Sequence, residues 1–389
     1  MKHSLHVHAG GLHEVGGKIR HIGRFDRHDD GQIVSSQELW YEFETLPPGV
    51  DPEDLAPFFM VLIQLAMEER RTLHVHGGIS RSQLANLEEF CNAWQALRPA
   101  EFHGIPFVVD GVVDDAGQLP LPGAVATASG GLDSAFTLWR HAKGLAGYAT
   151  LPIRQVVMMD GIELDGRPDD FRRAVGHNRA MVESLGLNLT VVKTNYRQAL
   201  PHGMLLGYGS LLASCLYHFK GRAGNGLIAS GHPYAAPEMI EYGSNALTDP
   251  LLSCNRFRIH HDGASYRRLD KMIAVAAWPE YASHVRVCWQ DDSNGLNCGH
   301  CEKCLRTALI QRVLTGVHPP AFPPDVPLRT LIEAVRVPRE RKLYWAEFAA
   351  WIRETGRGTD WLALAEQKGR IREPFGRQLR RLFQTLAGK

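Results

Sequence analysis

The hexapeptide Ser129-Gly130-Gly131-Leu132-Asp133-Ser134 constrains this chain more than any other stretch. The apolar run Ala124-Val125-Ala126-Thr127-Ala128 precedes it and Ala135-Phe136-Thr137-Leu138-Trp139 follows, which reads as strand, glycine loop, helix. Two adjacent glycines let the backbone turn sharply and approach a ligand with no Cβ between them. Ser129 and Ser134 add hydroxyl donors. A helix beginning near Leu132 aims its free N–H groups and positive dipole end at the loop. Such a loop suits a phosphate. The plainer alternative is a glycine turn with a serine cap on the next helix. A Walker A loop is excluded, because no Gly-Lys-Ser/Thr follows at the required spacing.

The residues downstream alternate between strand and helix patterns. Strands are predicted over 153–159, 187–192 and 226–231, and helices over 169–185 and 204–219. The unbroken apolar run 156–159 suits a strand buried on both faces. This alternation predicts an α/β fold with a doubly wound parallel sheet, whose ligands sit beyond the carboxyl ends of the strands. The glycine loop, Met159-Asp160, Thr194-Asn195 and Ser230-Gly231-His232 are then expected around one cleft. Asp160, followed by Gly161, reads equally well as a turn residue.

At 389 residues the chain exceeds what a single core usually serves, and three regions are expected. Residues 1–117 read as a small α/β or α+β domain. They carry a strand at 36–43, a helix opened by Asp51-Pro52 and running to Glu69, and a strand at 71–76 ended by Gly77-Gly78. Ser80 caps a helix through Leu97, and 105–109 is a further strand. A linker rich in Asp, Gly and Pro leads into a core over 121–315, and 325–389 is expected to be helical. Its last helix is expected over 373–386, with Arg377, Arg380 and Arg381 as a solvated basic face. In the first region His6 and His8 share a strand face, as do His74 and His76. With no carboxylate or cysteine evident to complete a ligand set, these histidines, and His3 and His13, read as surface residues.

A net charge of +1 demands no polyanionic partner, so nucleic acid is not expected to bind. The first residues lack the apolar core of a signal peptide and no apolar run is long enough for a membrane span, which predicts a cytoplasmic protein without membrane contact. Four of the seven cysteines, Cys288, Cys298, Cys301 and Cys304, crowd into one short stretch. Four thiolates so close in sequence suit a closed tetrahedral Zn2+ site, with Lys303 and Arg306 offsetting part of the charge. An iron–sulfur cluster and catalytic thiols are the competing readings. Cys91, Cys215 and Cys254 read as buried small residues.

The hexapeptide behind its buried strand resembles the PP-loop of the ATP pyrophosphatases, which split ATP between its α- and β-phosphates. Followed by this four-cysteine spacing, it is similar to the 7-cyano-7-deazaguanine synthase family, the nitrile-forming enzymes of queuosine biosynthesis. The resemblance covers roughly residues 122–312 and includes Leu269-Asp270-Lys271 ahead of a helix. Tyr242-Gly243-Ser244 with Asp249-Pro250 falls where the family has a substrate loop. The family's glutamine-arginine-histidine element is replaced by Gly161-Ile162-Glu163-Leu164-Asp165-Gly166. That difference and the added terminal regions make the chain look like the divergent branch of synthase-like proteins, some of which occur in bacterial defence gene sets.

The resemblance implies an adenine nucleotide α-hydrolase-like core and ATP with Mg2+ as cofactors. Ser129, Gly130, Gly131, Leu132, Asp133, Ser134 and Asp160 would bind the nucleotide. Asp133 would position magnesium or order the loop, with Ser134 and Lys271 beside it in catalysis, and Ser230, His232, Ser244 and Asp249 would meet the substrate. The implied reaction is AMP-forming activation of a carboxylate, 7-carboxy-7-deazaguanine or a related deazapurine, as an acyl adenylate. An amine then attacks to give an amide or nitrile, which makes the chain a C–N-forming ligase. The amine is ammonia or a protein amine docked on the N-terminal region, and a homodimer is compatible with this reading. Two other classes stay open: a tRNA-modifying or sulfur-transfer enzyme, and a non-catalytic nucleotide-binding scaffold.

Overall fold

Two tight reversals shape the start of the chain. Gly16 and Gly17 take φ of 59° and 77°, and Asp30 and Gly31 take 48° and 82°, the left-handed pairs of two-residue hairpin turns. They join β1 (His3–Val15), β2 (Lys18–Asp29) and β3 (Gln32–Phe43) into an antiparallel meander. Then come α1 (Ala56–Glu69), β4 (Thr72–Ser80), α2 (Arg81–Leu97) and β5 (Phe107–Val113), with β1, β4 and β5 paired parallel. The first helix starts later than expected because the side chains of Asp51 and Asp54 each accept an amide two residues on, which holds turns there. Ser80 caps α2 as predicted, accepting the Gln83 amide at 3.4 Å. The strand expected to stop at 76 continues through the glycine pair by a register shift between Val75 and Gly78. The computed structural model describes residues 3–200, 205–236, 242–324 and 327–370.

The second run of elements is β6 (Ala124–Thr127), α3 (Leu132–Ala142), β7 (Ile153–Asp160), α4 (Pro168–Ser184), β8 (Leu189–Thr194) and α5 (Tyr196–Ala199). It continues with α6 (Tyr208–Tyr217), β9 (Asn225–Ala229), β10 (Arg258–Asp262), α7 (Arg268–Val275) and α8 (Pro279–His284). These strands lie side by side as β8-β7-β6-β9-β10, every neighbour parallel. The order reverses between β6 and β9, the kind of switch point where open α/β sheets hold ligands. Val125, Val157 and Ile228 face the core shared with α1 and α6, whereas Ala126, Val156 and Met158 face α3 and α4. Burial on both faces accounts for the unbroken apolar run seen in the sequence.

β3 pairs antiparallel with β8, Phe43 opposite Val192 and Tyr41 opposite Thr194. The N-terminal strands therefore extend the parallel strands into one mostly parallel, ten-stranded sheet instead of closing a sheet of their own. The physical reason is the edge: without β3, β8 would present unpaired backbone groups.

Contacts divide the chain into the units Met1–Asn297 and Cys298–Lys389. In the second, the described helices are α9 (Glu302–Thr315), α10 (Leu328–Ala334), α11 (Lys342–Thr355) and α12 (Leu362–Gly369). Glu302, buried, accepts Arg306 Nε at 2.6 Å and Trp345 Nε1 at 2.9 Å. Arg306, expected to offset thiolate charge, is thus paired with a carboxylate. The basic face at Arg377, Arg380 and Arg381 lies outside the described residues. No helix among the described residues is long and apolar enough to cross a membrane.

Candidate functional site

The glycine loop stands between β6 and α3, at the carboxyl edge of the parallel strands. Gly130 adopts φ of 79°, and its carbonyl accepts the Arg286 amide at 2.9 Å. Asn178 reaches from α4 to donate to the Ala128 carbonyl at 2.9 Å, so the loop is held from two further elements. Gly131 is the N-cap of α3 and offers no side chain to the first-turn amides, which leaves them aimed out of the helix end. Ser129 Oγ accepts the Gly131 amide at 3.4 Å, and Ser134 Oγ donates to the Gly131 carbonyl at 3.2 Å.

Asp133 lies in the first turn of α3 but faces α7. Its carboxylate accepts Arg268 Nη1 at 2.7 Å and Lys271 Nζ at 3.1 Å. Lys271, 1% exposed, also donates to the carbonyl of Ser230 just past β9. Burial works to raise the Asp133 carboxyl, and the charges of Arg268 and Lys271 outweigh it and hold the group at about 2. Asp133, Arg268 and Lys271 thus form one ionic cluster beside the loop, with the Ser230 carbonyl as a further acceptor for Lys271. These contacts tie α3 to α7.

The other predicted residues divide into two groups. Asp160 ends β7 and accepts the Gly161 amide at 2.8 Å; burial, opposed by Lys193, raises its carboxyl. Gly161 holds φ of 90°, and a Cβ there would stand 2.0 Å from the Thr194 carbonyl oxygen. Gly161→Ala is expected to destabilise the fold by about 2–3 kcal/mol, read from its urea midpoint. Ser230 is buried and donates to the His232 carbonyl at 2.6 Å, and the His232 ring stacks on Tyr242 with centroids 4.4 Å apart. Ser244 and Asp249 form a separate turn. Asp249, wholly buried, accepts Ser244 Oγ at 2.7 Å and the Asn245 amide at 3.2 Å, and pairs with His261 Nδ1 at 2.8 Å. These contacts give Asp249 the task of holding that turn.

The sulfurs of Cys288, Cys298, Cys301 and Cys304 all lie within 4.8 Å of one another. The Cys298–Cys304 sulfur distance is 3.9 Å, and zinc–sulfur bonds in a tetrahedron set sulfurs about 3.8 Å apart. The Cys301 amide donates to Cys298 Sγ and the Gln290 amide to Cys288 Sγ, each at 3.4 Å. Cys304 stands in the first turn of α9. The group could hold a single ion such as zinc. A four-iron cluster puts each thiolate on a different iron and needs a wider spread.

Three residues about the loop escaped the sequence reading. Arg268 had a usable signal, since it stands three residues before Lys271 and so shares its helix face. Arg286 and Asn178 had none, being brought in from distant elements. Among the histidines read as surface residues, His6, His8 and His76, all partly exposed, bring ligand nitrogens within 4.8 Å of one another. Comparison with family models, with curated proteins and with solved structures returns no match for this chain.

Proposed function

We propose that the chain is an AMP-forming, ATP-dependent ligase of the PP-loop type, similar to 7-cyano-7-deazaguanine synthase. The observation that carries this reading is the position of the glycine loop. It lies at the reversal of strand order, opens a helix with uncapped amides, and has the Asp133–Lys271–Arg268 cluster beside it. Main-chain amides at a helix start, with hydroxyls of Ser129 and Ser134, suit the β- and γ-phosphates. Magnesium supplies charge neutralisation on the phosphates when bound.

In this reading a carboxylate oxygen of the substrate attacks the α-phosphorus, the bond to the β-phosphate bridge breaks, and pyrophosphate stays on the loop. An amine nitrogen then attacks the acyl carbon and AMP departs, leaving an amide. Dehydration to a nitrile would consume a second ATP by the same route. Asp160 ends β7, and Ser230 and His232 lie just past the end of β9; these two strands flank β6, and the carboxylate would be received there. The sulfur-transfer alternative needs a reactive thiol. Cys91 and Cys215 are poor candidates, because burial pushes Cys91 up to about 12 and Cys215 further.

The test is incubation of the purified chain with Mg·ATP, 7-carboxy-7-deazaguanine and ammonia. AMP, pyrophosphate and an amide or nitrile are expected by mass spectrometry. Ser129→Ala and Ser134→Ala should each lower kcat/KM about 10–100-fold while the fold stays intact. Release of ADP and orthophosphate, or no ATP uptake by folded protein, would overturn the proposal.

A further inference from the structure

A group of imidazoles on the N-terminal strands takes no part in the chemistry above. Alternation along β1 puts His6 and His8 opposite the core residues Leu5 and Val7, and along β4 it puts His74 and His76 opposite Leu73 and Val75. Parallel register then seats His6 beside His74. The rings of His8 and His76 stack with centroids 4.3 Å apart, and His6 Nδ1 lies 2.8 Å from His76 Nε2.

Adjacent strands supply the carboxylates that were not evident from sequence. Asp110 of β5 lies 3.6 Å from His76 Nδ1, the nitrogen other than the one facing His6. Asp26 of β2 places Oδ2 3.5 Å from His8 Nε2. Asp26 is only 5% exposed, and its other oxygen, Oδ1, is buried with no hydrogen-bond partner. A buried carboxylate oxygen without a donor is costly unless a cation or water serves it.

We propose that His6, His8 and His76 form a site for a divalent transition metal of the zinc class, with a fourth position open to water. Three imidazoles and an open position form a known donor set for such ions. Bonds of 2.0–2.1 Å to zinc set tetrahedral nitrogens about 3.3 Å apart, which falls between the 2.8 Å His6–His76 separation and the 4.8 Å that bounds all three. Asp110 acts from behind His76, orienting the ring and raising its basicity. The site does not depend on the ligase reading.

Calorimetric titration of the full chain with Zn2+ at neutral pH tests this, with Ni2+ as a second probe. The wild type should bind an equivalent tighter than about 10 µM that His8→Ala and His76→Ala both lose. Asp110→Asn should weaken that equivalent about tenfold. His13→Ala, on the same strand but outside the group, should leave it unchanged. Near-ultraviolet circular dichroism of the variants should match the parent, which separates lost ligands from lost fold. Affinity weaker than about 10 µM for that equivalent, or the same number of equivalents in folded His76→Ala as in the wild type, would show only scattered surface histidines.

Discussion

Replacing Cys304 with serine, or stripping the protein with a strong chelator, is expected to lower its melting temperature by on the order of 10 °C. The expectation rests on the four sulfurs within 4.8 Å and on the complete burial of Cys288 and Cys304. Free thiols at such distances gain almost nothing from one another, whereas thiolates on one zinc exchange mutual repulsion for metal bonds. In zinc-finger peptides the ion contributes about 10–16 kcal/mol of apparent binding energy. Here none of the four cysteines belongs to the cores on either side of the sheet, so the loss should be a fraction of that and centred on the segment 288–304. Scanning calorimetry with and without chelator, alongside elemental analysis, gives the answer. An unchanged melting temperature, with all four thiols titratable in folded protein, would remove the ion from the account.

Asp133→Asn is expected to destabilise the fold by about 3–5 kcal/mol, because it removes the carboxylate that pairs with the buried Lys271. The Asp133 side chain is 21% exposed and that of Lys271 is 2%, so solvent cannot substitute for the lost carboxylate. The pH dependence follows with a definite sign. The group falls from 3.8 to about 2 on folding, so its stabilisation, about 2 kcal/mol, is present above 3.8 and lost as pH falls through 2. Urea unfolding between pH 2 and 5 should show this acid limb in the wild type and a shallower one in the variant. Adding Lys271→Met to Asp133→Asn should recover part of the loss, since the stranded charge is then gone. A stable single variant with an unaltered acid limb would refute the ionic cluster.

The parts of the chain that could be read in advance are those governed by neighbours in sequence. The glycine loop between an apolar strand and a helix, the Ser80 cap, and the buried run before Asp160 each rest on local backbone preference. The hairpins at Gly16-Gly17 and Asp30-Gly31 carried a local signal as well. They were missed because the long strands about them are rich in His, Arg and Gly and show little apolar alternation. β10 escaped for a related reason: Arg258–Asp262 looks polar, and it becomes a strand because β9 offers it an edge.

Pairings between distant strands and helices had no such signal. Nothing near Asp133 in sequence announces Arg268, Lys271 is expected beside it only from the family resemblance, and nothing near His8 announces Asp26 or Asp110. By itself, the sequence determined where the backbone must turn, where helices begin, and that four thiols lie close enough to share an ion. Tertiary structure alone decided that β3 closes the edge of β8, that Asp133 is consumed by two cations, and that imidazoles of β1 and β4 converge. The difference is physical: turns and caps are set by torsional preference within a few residues. A charge pair or ligand set across a sheet exists only once burial of the core has chosen which strands stand side by side.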